Sequence, residues 1–265
     1  MLRRSSGLVI GLGLASTLLL AACGGSGSGN TGGSKTTSGK TAASPATQTG
    51  PEVLSNGQDQ LNLPLNAVVF GTAGTADGST SGNGFDSGGN VLNAQGVPTG
   101  NVPVAIGSTK VTFWVPKLGS GDKSAMQMEI GGKPLTVTVQ KPAAYKSIYL
   151  LEGAGNGPLD VNVTANYTDG SSGTAHTVQI DDWCTLAVGG TPAAGAVQVL
   201  QAPNRLNDTG STVSPACGME GIGVTFNSGG KTVKSITFSN VALGPKNTTA
   251  PTVPRMNITA ATLVP

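Results

Sequence analysis

The period of its apolar residues constrains this chain more than any other feature. From residue 51 onward, large apolar side chains come in short runs at every second position, broken by glycine, proline, asparagine and aspartate. Lys110-Val111-Thr112-Phe113-Trp114-Val115-Pro116 puts Val111, Phe113 and Val115 on one face of a strand and Thr112 and Trp114 on the other. Leu159-Asp160-Val161-Asn162-Val163-Thr164-Ala165-Asn166-Tyr167 alternates for a full strand. It stops at Thr168-Asp169-Gly170-Ser171, where Asp-Gly predicts a hairpin because glycine accepts positive φ. The return strand is predicted over 173–180. Further strands are predicted at 196–200, 223–226, 232–238 and 256–260. No window after residue 50 keeps an apolar stripe at helical spacing for three turns. Many short strands with turn residues between them predict an all-β antiparallel sandwich. Residues 51–265 are enough for one such domain with its own core.

The N-terminus reads differently. Met1-Leu2-Arg3-Arg4 is a short basic region, followed by an apolar stretch from Gly7 to Leu20 and by Ala21-Ala22. That is the layout of a secretory signal, and it is too short for a membrane span of about 20 apolar residues. Leu20-Ala21-Ala22-Cys23 resembles the bacterial lipobox. The resemblance implies cleavage before Cys23, diacylation of its thiol and acylation of the new amine. Each buried CH₂ contributes about 0.8 kcal/mol, so two or three chains anchor stably where one does not. Residues 24–50 are Gly/Ser/Thr-rich, carry no large apolar side chain and cannot build a core. The expected organisation is a signal peptide at 1–22, a lipidated cysteine and tether at 23–50, and one β domain at 51–265. That domain is expected outside the membrane of a bacterial cell envelope, anchored through Cys23.

Charge narrows the partners. Charged residues are 11% of the chain, against about 25% in ordinary domains. Loss of Arg3 and Arg4 from the 15 basic residues leaves 13 to face 13 acids. A net charge near zero provides no field for nucleic acid. Cys184 and Cys217 lie 33 positions apart. Outside the membrane they are expected to form a disulfide, whose closure contributes about 3–4 kcal/mol; two separate buried thiols are the alternative. Two cysteines and the single His176 cannot make a four-ligand zinc cage.

Several segments together resemble the galactose-binding-like β-sandwiches, the jelly-roll modules found beside bacterial glycosidases. They are Gly84-Phe85-Asp86-Ser87-Gly88-Gly89-Asn90, then 111–116, then the block from Tyr149 to Trp183, and last Val233-Lys234-Ser235-Ile236-Thr237-Phe238. The second half of the long block carries the best match, Tyr167-Thr168-Asp169-Gly170 followed by Asp181-Asp182-Trp183. The resemblance spans most of residues 65–245. It implies a jelly-roll fold and a non-catalytic role, often carbohydrate binding, with a structural calcium in some members. The chain departs from that pattern in two ways: aromatic residues are only 4%, and no catalytic domain is expected within residues 1–265.

The candidate ligand residues are Trp114, Asp181 and Asp182. Trp114 lies on the strand face opposite Phe113 and can offer a ring for sugar stacking; an ordinary strand residue is the alternative. Trp183, beside Cys184, reads as a buried anchor. Asp181 and Asp182, with Asp77 and Asp86 in glycine-rich loops, could feed oxygens to calcium, or cap turns. No residues are assigned to a metal. His176 reads as a strand residue near the surface, and the Asn-x-Thr triplets receive no role. No Gly-x-Ser-x-Gly elbow occurs, and no carboxylate pair is marked out for glycosidase chemistry. The expected function is therefore non-enzymatic: an envelope lipoprotein presenting a carbohydrate-binding sandwich. Two alternatives stand beside it, a structural or protein-interaction domain without a small ligand, and a hydrolase.

Overall fold

The computed structural model describes residues 61–74, 84–118, 121–185, 189–244 and 253–265. The signal segment, the tether, Cys23 and Asp77 fall outside the described residues. Within them, no helix is long and apolar enough to cross a membrane. The strands run in chain order as β1 Phe70–Gly71, β2 Val91–Asn93, β3 Gly100–Ile106, β4 Thr109–Val115 and β5 Met126–Glu129. Next come β6 Leu135–Ala143, β7 Ser147–Gly155, β8 Leu159–Tyr167, β9 His176–Ile180 and β10 Val197–Gln201. The last are β11 Arg205–Leu206, β12 Thr212–Val213, β13 Gly218–Thr225, β14 Val233–Leu243 and β15 Arg255–Val264.

A five-stranded sheet, β10-β13-β7-β15-β5, is antiparallel throughout. A four-stranded antiparallel sheet, β6-β14-β8-β9, faces it. The layer between them is aliphatic and holds Ile148, Leu150, Val161, Val163, Ile222, Ile236 and Ile258, with Phe238. This is the antiparallel sandwich that the alternation predicts. β8 is its clearest case: every second residue from Leu159 to Tyr167 is buried.

The five-stranded sheet is also covered on its other face. Leu151, Leu200, Met219 and Ala260 join a second core with Phe70, Phe85, Leu92, Phe113 and Trp183. Its cover is the β3–β4 hairpin and a small sheet, β1-β2-β11-β12. The two-residue β1–β2 pairing is parallel. β7 and β15 therefore bury both faces, and all but the last residue of β15 is buried. Two glycines on β7 make the second face possible. A Cβ at Gly153 would meet the Phe85 ring at 2.8 Å, and one at Gly155 would run into the Phe85–Asp86 backbone.

The β8–β9 hairpin forms, with Gly170 at φ 87°. Residues 173–175 stay outside the return strand, which begins at His176. The Tyr167 N–H instead donates to the Ser171 carbonyl across the turn at 2.9 Å. Asp169 caps this turn by accepting from the N–H and hydroxyl of Ser171, and it pairs with Lys231 at 3.0 Å. Those hydrogen bonds, with the Lys231 ammonium, lower its carboxyl to about 2.

Candidate functional site

Trp114 and Trp183 have opposite fates. Trp183 is buried, stacked on Phe85 with centroids 4.3 Å apart and planes 12° from parallel. The Arg205 guanidinium lies 5.5 Å from its ring. Trp183 is thus a core anchor, as its place beside Cys184 suggests. Trp114 is half-buried, while its neighbours Phe113 and Val115 are fully buried. It forms a wall of a pocket of about 320 Å³, together with Leu61, Asn62, Leu63, Leu65, Pro116 and Thr259–Ala261.

The pocket has a structural origin. A register shift between Ile258 and Ala260 in the β15–β7 pairing leaves Thr259 without a partner in that ladder. Its hydroxyl donates instead to the Met219 thioether at 3.2 Å. Three residues on, the Thr262 hydroxyl donates to the Thr112 carbonyl at 2.8 Å and ties β4 to β15. Residues 61–65 close the remaining side; Leu61 bridges Val139 on β6. The lining carries no charged side chain.

Asp181 and Asp182 are not brought together as one site, and neither lines the Trp114 pocket. Asp182 accepts from the N–H groups of Cys184 at 2.9 Å and Gly157 at 3.1 Å. Burial nevertheless raises its carboxyl above the usual range, against the lowering by those two donors. Asp181 accepts from the Gln179 amide at 2.7 Å and from the Ala193 N–H. Asp86 accepts from the N–H groups of Gly88 and Asn90 and from the Asn90 side chain. These acids hold turns, which is the ordinary use of aspartate there. Among the described residues, no group of three His, Cys, Asp or Glu side chains is spaced to hold a metal ion. Of the acids named for calcium, Asp86, Asp181 and Asp182 are thus taken up by turn donors, and Asp77 lies outside the described residues. His176 is half-buried at the start of β9, opposite Val163.

Cys184 and Cys217 are joined, with Cα atoms 4.3 Å apart. Around this bond, the Gly218 N–H donates to the Trp183 carbonyl, and the Ala202 N–H to the Cys217 carbonyl. The disulfide thus pins the Trp183 turn to the start of β13.

Sequence reading missed Glu152 and Glu220. They sit directly opposite each other on β7 and β13. Glu152 is 0% exposed and Glu220 7%. Neither oxygen of Glu152 has a hydrogen-bond partner, nor does Oε2 of Glu220. Burial, then the charges of Glu220 and Asp181, push the Glu152 carboxyl well above its ordinary value. Burial, then the charge and hydrogen bond of Asp181, raise Glu220 to about 7. The signal lay in plain view: each is a lone acid inside an apolar run, Ile148–Ala154 and Met219–Val224. A glycosidase pair must flank an open bond. Glu152 is enclosed, so a substrate has no approach to that carboxyl.

No known family model matches this chain, and no curated protein matches it. The fold and pocket define a class and no more: an all-β antiparallel sandwich with a tryptophan-walled pocket.

Proposed function

We propose that this protein is a bacterial envelope lipoprotein whose β domain is a non-catalytic, galactose-binding-like module that takes up carbohydrate at Trp114. One observation carries the reading. Trp114 lines a pocket without a charged side chain, whereas Trp183 is buried against Phe85. An apolar ring face beside uncharged polar groups suits a neutral polyol better than an ionic ligand. The Asn62 amide can both donate to and accept from sugar hydroxyls. The volume, about 320 Å³, falls at the small end of ligand sites. The lipobox-like Leu20–Cys23 segment supports the anchor. Acylation at Cys23 would hold the module at a membrane surface, where a glycan-binding site has a use.

Affinity electrophoresis and pull-down of the full-length chain against plant, fungal and cell-wall polysaccharides test the ligand class. Binding to at least one is expected, and Trp114→Ala should weaken it about tenfold or more, equivalent to 1.4 kcal/mol. Circular dichroism should show the variant folded, so that lost binding reports the ring and not the fold. A flat panel, or unchanged binding by Trp114→Ala, would end this reading; a flat panel with co-purification of another envelope protein would favour an interaction domain. Mass spectrometry of the N-terminal peptide tests the anchor, and an unmodified Cys23 in membrane-derived protein would refute it.

A further inference from the structure

The Glu152–Glu220–Asp181 group plays no part in the reading above, yet it violates the most general rule of a protein interior. Buried polar atoms find partners, and like charges directly opposite on paired strands repel. Here two carboxyls face each other across β7 and β13, three of their four oxygens unpartnered. Three things could neutralise them: a metal, a base or protons. The spacing of the described acids does not fit a metal. Among the described residues no base faces them either, for Arg205 lies at the Trp183 ring and donates to the Ser214 and Pro215 carbonyls. On β15, Glu152 is opposite Ile258, while Arg255 turns to Glu129 and the Asp86 carbonyl. Asp160 on β8 alternates with the buried Leu159 and Val161 and so takes the opposite face. His176 begins β9 opposite Val163, at the strand end away from Asp181. Asp182 is held by Gly157 and Cys184. Lys141 and Lys234 are exposed, and β10 with 189–196 has no ionisable side chain.

Protons remain. We propose that Glu152, Glu220 and Asp181 form a proton-held clasp that joins the outer sheet to the central sheet and opens when its protons leave. The Ala154 N–H, two residues past Glu152, donates to the Asp181 carbonyl at 2.8 Å and brings that acid beside the pair; two carboxyls share a hydrogen bond only while a proton lies between them. Asp181 follows the last residue of β9 and also accepts from Ala193, so a proton shared with Glu220 ties the end of β9 and the 189–196 segment to β13. Once Glu220 is ionised, it stands opposite Glu152 in a poorly solvated place with no donor to its Oε2, and Glu152 loses the neutral neighbour it needs. The segment leading into β10 is what this releases first.

The direction of the pH effect follows from raised carboxyls. The folded form binds more protons than the unfolded form above the ordinary glutamate value. Stability is then full below that value and is lost as pH rises through about 7, the value for Glu220. Calorimetry of the full-length chain should show Tm falling by roughly 3–8 °C from about pH 5 to about pH 8. In Glu220→Gln the amide donates to Asp181 at either pH, so this fall should shrink to less than half. Hydrogen exchange, corrected for its intrinsic pH dependence, should open 189–201 selectively at the higher pH. A Tm that is flat or rising over this range overturns the clasp, as does an unaltered fall in Glu220→Gln. Should that variant fail to fold, an infrared titration of the wild type decides. A protonated-carboxyl band present at about pH 6 and lost by about pH 8 supports the clasp, and its absence at the lower pH overturns it.

Discussion

The two faces of the central sheet are covered by different means. On one face the partner is a complete sheet with long strands and an aliphatic interlayer, in which β8 and β14 pair along most of their length. On the other the partners are strands of two or three residues, one hairpin and loops. Short strands contribute few ladder hydrogen bonds, so that side depends on individual pins. These are the Cys184–Cys217 bond, the Phe85–Trp183 stack and the Asn257 amide, which donates to the Phe85 carbonyl at 2.9 Å. Asn257 also accepts from Gln127 at 2.7 Å, and Gln127 in turn donates to Gly84 at 2.8 Å. Regular packing spreads the free energy over many equivalent contacts, whereas pinning concentrates it in a few irreplaceable ones. The pocket lies where β4 of the pinned face meets residues 61–65, of which Leu61 bridges Val139 of the complete sheet.

This contrast can be broken by measurement. The largest effect is expected for Phe238→Ala, in the aliphatic layer, at about 3–5 kcal/mol in urea unfolding. Reduction of the disulfide should follow at about 3–4 kcal/mol. Hydrogen exchange should locate that loss, with protection falling in β10–β13 and the short sheet while β8 and β14 hold. Uniform loss across both faces would show that the pins serve the whole fold and not one side. Asn257→Ala should cost about 1–3 kcal/mol, because it strands the buried Phe85 carbonyl. The smallest effect belongs to Asp169→Asn at the exposed hairpin turn, which should leave Tm at neutral pH almost unmoved. What the carboxylate contributes is present above the ordinary aspartate range and disappears as pH falls through about 2. Its acid profile runs opposite to that of the clasp, so the clasp alone should bend the wild-type pH–stability curve visibly, and at its alkaline end. A curve without the alkaline bend would remove the clasp and leave the hairpin untouched.

Legibility followed burial geometry. β4, β8 and the ends of β13 and β14 were readable because one face is apolar and the other polar. β7 was not, for Ser147–Gly155 is buried toward two cores at once and its apolar residues do not alternate. Of the candidate residues, Trp114 was placed by the same two-sided logic, and Cys184 and Cys217 by chemistry and count. Asp181 and Asp182 were readable as turn acids, but their separate partners, Ala193 and Gly157, are remote in sequence. Glu152 and Glu220 lie 68 positions apart and meet only through strand pairing.

The chain's local period by itself determined that it builds strands, that they end at glycine and aspartate turns, and that a two-layer aliphatic interior follows. Those properties depend on neighbours in sequence and need no distant partner. Only the tertiary structure decided that the central sheet is covered twice, that a bulge at Thr259 opens a pocket beside Trp114, and that Glu152 and Glu220 meet buried and directly opposite each other. Each arises where the free energy of a group is set by what packs against it from afar, and no local pattern encodes that.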